Sequence, residues 1–163
     1  LETCSQAAQK AGSTDLVISG LRARRGDAEL PRSLPVALRP EDFLIGNPGW
    51  QGSNTFIRLK TLQRAGNFTE GLASCNDRDL AVRVLSLEGL TIAFTGKFTA
   101  TWHLGTTPDQ LSRFQGEAKK SGLAGFLRLH GHRMSDEARR AFFDRAEALF
   151  GISEKDIESP YVH

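Results

Sequence analysis

The hydrophobic positions change period several times along the chain, and the changes mark out its elements. In residues 79–87, Leu80, Val84 and Leu87 fall at i, i+4 and i+7, which predicts a helix with one buried stripe. Asn76 or Asp77 stands in the capping position and Gly89 closes the segment. Residues 15–22 (DLVISGLR) are dense in β-branched side chains and predict a buried strand. Residues 53–59 alternate, with Phe56 and Arg58 on one face and Thr55 and Ile57 on the other, and predict a second. Residues 91–94 and 98–102 add two short strands around Gly96.

Helical periodicity fills most of the rest. Residues 2–11 predict a helix with a glycine stop at Gly12. Pro40 opens a short helix, and residues 61–65 predict another, stopped by Gly66. Residues 108–120, with Thr107 in the capping position, and 123–131 predict two more. Residues 135–150 predict a last one, amphipathic through Ala138, Ala141, Phe142, Ala146 and Leu149 and ended by Gly151, with a short tail after it. Residues 24–40, charged and holding Pro31, Pro35 and Pro40, predict a loop. Strands and helices alternate through the first two thirds, so the fold class is α/β with a helical C-terminal appendage. Four strands in 103 residues resemble the second half of a sheet.

Composition narrows the class. The 163 residues, 39% hydrophobic and 25% charged, fit one soluble globular domain. A net charge of +2 with scattered Lys and Arg gives no basis for nucleic-acid binding. No apolar run reaches the roughly 18 residues that a membrane helix needs. The first residues, LETCSQAAQKAG, have no signal-peptide pattern and no initiating Met, which leads to the expectation of a processed product or fragment. Cys4 and Cys75 form no CxxC, leaving two reduced thiols of a cytoplasmic protein or one long-range disulfide.

Three stretches could carry chemistry. Asp77 and Asp79 lie two residues apart at a helix start. Carboxylates there cap free N–H groups, or one of them acts as a general base. The stretch 46–54 (GNPGWQGSN) has three glycines and a proline, hence a shaped loop. Its Trp50 either plugs that loop or offers a flat face to a sugar or base. His103 ends a strand, as a core-edge histidine, a metal ligand or a phosphate contact. His130, His132 and His163 show no partner pattern, and Phe142, Phe143 and Phe150 are packing residues of a helix face.

Taken in order, these stretches resemble the C-terminal half of the family 2 glycosyltransferases, the inverting GT-A enzymes. The matching text is GSNTFIR, then Gly66-Asn67-Phe68-Thr69-Glu70, then Asn76-Asp77-Arg78-Asp79-Leu80 with Arg83, then Trp102-His103. The resemblance spans residues 1–105 as fold and 46–103 as motifs, with residues 106–163 as a helical extension. It implies a partial GT-A fold, Rossmann-like with a mixed sheet, and glycosyl transfer from a nucleotide-sugar donor to a hydroxyl acceptor. It makes Asp77 the catalytic base and Asp79 the residue that anchors the helix. It puts Trp50, Gln51, Gly52, Asn54, Asp79 and Arg83 on the substrate side and His103 at the metal or diphosphate. Mg²⁺ or Mn²⁺ would neutralise the leaving group.

The chain departs from the family at Asn76, which replaces a Glu, and at Asn67 and Thr69. Apart from Asp77-Arg78-Asp79 itself there is no D-x-D, and the nucleotide-binding strands have no counterpart. The resemblance therefore implies an upstream donor-binding half, in the same or another chain. The alternatives are a non-catalytic GT-A-derived module that binds a glycan or protein, and a plain α/β domain in which Asp77 only caps. The expected location is cytoplasmic, with a peripheral membrane acceptor left open.

Overall fold

The computed structural model describes residues 2–10, 12, 14–103 and 114–158. Among them the chain is an α/β protein with a four-stranded mixed sheet and seven helices. The sheet is built around β1 (Leu16–Arg25), whose first six residues are all buried. β4 (Ile92–His103) runs parallel along one edge of β1, from Leu16↔Ile92 to Arg24↔His103. The other edge is shared by two antiparallel strands. β3 (Thr55–Ile57) pairs with its beginning and β2 (Ala28–Leu30) with its end.

The strands differ from expectation in three ways. β1 runs on to Arg25 and turns back through Gly26-Asp27 into β2, inside the stretch predicted as loop. Gly26 takes φ 58°, the left-handed conformation that a two-residue hairpin turn uses. The two strands predicted on either side of Gly96 are one strand. Gly96 (φ 63°) sits in a bulge that shifts the register with β1, and the Thr95 hydroxyl accepts the Lys97 N–H there. β3 is only three residues long, because residues 52–54 wind into a 3₁₀ turn and Leu59 already belongs to the next helix.

The helices are α1 (Glu2–Lys10), α2 (Asp42–Ile45), α3 (Leu59–Arg64), α4 (Asn76–Leu85), α5 (Glu117–His130), α6 (Asp136–Phe150) and α7 (Glu154–Glu158). α4 is the central one, with Leu80, Ala81, Val82 and Val84 all at 2% exposure or less. Burial on so much of its circumference is why its sequence shows more apolar positions than one stripe. It begins three residues before the predicted start. Cys75 precedes it in the left-handed region (φ 67°) and no side chain caps it, so neither Asn76 nor Asp77 plays the capping role.

α5 is continuous through Gly122, where two helices were expected. Gly122 is a contact point, since a Cβ there would lie 2.0 Å from Ser74 Oγ. α6 matches its predicted span, with the Ser135 hydroxyl accepting the Ala138 N–H at 3.2 Å and Gly151 (φ 65°) at its end. Its stripe is Phe142, Phe143 and Ala146, while Leu149 is half exposed. The tail holds one more helix turn, α7, opened by hydrogen bonds between Ser153 and Asp156.

One hydrophobic cluster joins Leu16 and Ile18 of β1, Leu80 and Val84 of α4, Phe126 of α5 and Phe142 of α6. Residues on both sides of the predicted boundary at 105/106 thus share a core. That boundary, the Thr107 cap, the start of the 108–120 helix and His163 lie outside the described residues, as does Ala11 at the end of the first predicted helix. Both cysteines are free thiols, Cys4 buried and Cys75 half-buried. No helix among the described residues is long and apolar enough to cross a membrane.

Candidate functional site

The loop between α2 and β3 is held by two asparagines. Asn47 Oδ1 accepts the N–H groups of Gly49 and Trp50 at 2.9 and 2.8 Å, folding the glycine-proline stretch on itself. Asn54, 2% exposed, uses its whole amide. Its Nδ2 donates to Ser19 O and Gly49 O at 2.7 Å each, and its Oδ1 accepts the Gln51 N–H at 2.7 Å. It pins the loop to the middle of β1 and has no amide atom left for a ligand.

Trp50 is 1% exposed and meets Phe43 edge to face at a centroid distance of 6.0 Å. The expectation of an indole face open to a sugar is not met. Phe43 of α2 packs on the ring, and burying an indole is worth more than presenting it to water. What the loop does present is Gln51, half-buried, and Gly52, exposed.

Gly52 leads to the acid. Its N–H donates to Asp77 Oδ1 at 3.1 Å, across 25 residues of sequence. Asp77 is half-buried on the first turn of α4, and no donor among the described residues reaches its Oδ2. Burial raises its pKa above the ordinary carboxylate value, and the Gly52 N–H offsets only part of that.

Asp79 lies one step further along the same turn and is 1% exposed. Its carboxylate accepts from Thr69 Oγ1 at 2.7 Å, from the Arg83 guanidinium at 2.6 Å and from His130 Nε2 at 2.8 Å. Burial alone would raise its pKa. The hydrogen bonds from His130, Arg83 and Thr69, with the charge of Arg83, reverse this and hold the carboxyl well below the usual range. The expectation that Asp79 and Arg83 touch substrate gives way to an inner network. Asp79 is spent on Arg83, Thr69 and His130, and Arg83 also donates to Ala65 O at the end of α3.

In the sequence His130 shows no partner and Thr69 stands out only as a departure from the family pattern, whereas both bind Asp79. His130 is 51 residues from Asp79, on the last turn of α5, and only the packing of α5 on α4 joins them. Arg78 is a second case. It is 7% exposed, donates to Phe43 O and Leu44 O at the end of α2, and lies 4.1 Å above the Phe126 ring. Its charge at a helix C-terminus complements the carbonyls there. It fixes α2, and with it the start of the loop, to α4.

His103 ends β4, exposed, opposite Arg24 of β1. Among the described residues no three His, Cys, Asp or Glu side chains come together. His103 belongs to no such group among the described residues, and these do not fit a Mg²⁺ or Mn²⁺ cage, which needs several oxygen donors.

Comparison with protein-family models, with curated proteins and with solved structures finds no match to the chain.

Proposed function

We propose that this chain supplies the catalytic base and acceptor side of an inverting GT-A glycosyltransferase. The observation that carries the reading is Asp77. It is a half-buried carboxylate of raised proton affinity, with one oxygen held by the Gly52 N–H and the other without a donor among the described residues. A base of this kind works best when its pKa approaches the working pH. In the proposed step Asp77 Oδ2 takes the proton of an acceptor hydroxyl. The oxygen forms a bond to the anomeric carbon, the bond to the nucleotide diphosphate breaks on the opposite face, and configuration inverts. Gly52 orients the carboxylate, and the buried Asp79–Arg83–His130 network fixes the turn that carries it. The Mg²⁺ or Mn²⁺ implied by the resemblance, and the donor site, would come from groups outside the described residues.

The test is Asp77→Asn in the full-length protein, assayed for sugar transfer from nucleotide-sugars. Transfer should fall by about 10²-fold or more, as expected for loss of a general base, with an unchanged fold. Near-normal transfer would remove Asp77 from the mechanism. The rival, a non-catalytic module that binds a glycan or protein, draws support from Asn76, which stands where the family pattern has a Glu. It expects no transfer from the unmodified protein and glycan binding that survives Asp77→Asn.

A further inference from the structure

Away from Asp77, the C-terminal ends of β1 and β4 carry a second grouping. In parallel α/β sheets this end of the strands is where ligands bind. Residues 22–32 hold four arginines, Arg22, Arg24, Arg25 and Arg32, against Asp27 and Glu29. Strand alternation puts Arg22 and Arg24 on the face that buries Leu16 and Ile18 further back. Arg24 is in register with Glu29 of β2 on one side and with His103 of β4 on the other.

Arg24 is incompletely satisfied. One of its terminal nitrogens donates to Asp27 O at 3.4 Å. Its Nε is buried and, among the described residues, is the one buried side-chain nitrogen or oxygen without a hydrogen-bond partner. A buried guanidinium N–H left unpaired is costly, and phosphate oxygens match the fork it presents. Glu29 does not fill the role, because its carboxylate leans to Arg22 at 3.8 Å, both being half exposed. Arg22 in turn lies 5.8 Å from the centre of the Phe98 ring, which holds it over the sheet.

We propose that the ends of β1 and β4 form a binding site for a phosphate-class oxyanion, with Arg24 as its principal donor, Arg22 beside it and His103 at its margin. The site needs neither a sugar nor Asp77, so it stands or falls apart from the transferase reading. Its occupant is either a free phosphate ion or the diphosphate group of a larger ligand.

Calorimetric titration of the full chain with sodium pyrophosphate, and separately with sodium phosphate, tests it. The expected result is saturable binding that weakens with added salt and is about tenfold or more weaker in Arg24→Gln, the loss of a charge-assisted bidentate contact. Arg24→Lys keeps the charge without the fork and should fall between the two. Arg140→Gln, on the exposed face of α6, should bind like the unmodified protein. Tighter binding of pyrophosphate assigns the site to a diphosphate group, and tighter binding of phosphate to the free ion. Absence of saturable binding overturns the proposal, as does an equal loss in Arg140→Gln or full affinity in Arg24→Gln. Should Arg24→Gln fail to fold, full affinity in Arg24→Lys overturns it instead. Asp77→Asn should bind pyrophosphate normally, so a failure of the transferase reading leaves this result standing.

Discussion

Asp77 and Asp79 sit two residues apart on one helical turn, and the fold gives them opposite surroundings. Asp79 is enclosed by Thr69, Arg83 and His130, whereas among the described residues Asp77 is held by a single backbone N–H, that of Gly52. Their proton affinities move apart accordingly, Asp77 upward and Asp79 downward. Two carboxylates separated in this way divide into one that can exchange a proton and one that keeps its charge.

For Asp77 the raised pKa sets the sign of a stability effect. Well below the ordinary carboxylate value the folded and unfolded states are both protonated and the residue contributes nothing. As pH rises through that value and then through the higher folded one, the charged form is worse off in the folded protein and stability is lost. Asp77→Asn should therefore melt at the same temperature as the unmodified protein in acid and at a higher one at neutral pH. Thermal unfolding followed by circular dichroism across that range checks it, and a lower midpoint at neutral pH would contradict the assigned shift.

Asp79 runs the other way. Its depressed pKa contributes stability that is present above the ordinary carboxylate value and is lost as pH falls toward the folded one. Asp79→Ala leaves the Arg83 charge and the His130 N–H without their partner. The expected cost is about 3–5 kcal/mol, typical of breaking a buried ion pair from one side. Urea unfolding at neutral pH measures it, and the variant should show a shallower acid-side slope than the unmodified protein, with the part due to Asp15 and Asp156 retained.

Asn54→Ala deserts the buried Ser19 carbonyl, the partly buried Gly49 carbonyl and the Gln51 N–H. We expect a loss of about 2–4 kcal/mol, from desolvation of groups left unpaired. The loop around Trp50 should loosen as well, giving a red-shifted tryptophan emission. Unchanged emission and stability would show that the asparagine does not organise the loop.

Gly122→Ala adds a Cβ 2.0 Å from Ser74 Oγ and 2.7 Å from the Ser74 backbone N and O. The helix propensity of Ala favours the change, and the clash opposes it. Because backbone has to move, the clash should win, with a net loss of about 1–3 kcal/mol, the range for overpacking. A stabilised variant would mean that α5 can shift off the turn before α4.

Much of this arrangement was legible in the residues. The β-branched run of β1 and the Ser135 cap and Gly151 stop of α6 act through near neighbours, so local pattern reveals them. The hairpin at Gly26-Asp27 carried a readable turn signal, masked by the prolines that follow. The gap between the helices predicted at 108–120 and 123–131 is closed in the structure, where Gly122 continues α5 and lets Ser74 approach.

By itself the sequence determined the α/β class, the helix bearing Asp77 and Asp79, and the shaped loop that precedes β3. Those follow from periodicity and turn chemistry, which are local. The tertiary structure alone decided that Trp50 and Asn54 face inward, that Asp79 is locked by a histidine 51 residues away, and that Gly52 holds Asp77. Burial and long-range hydrogen bonding depend on which elements pack together, and a single chain of letters does not carry that choice.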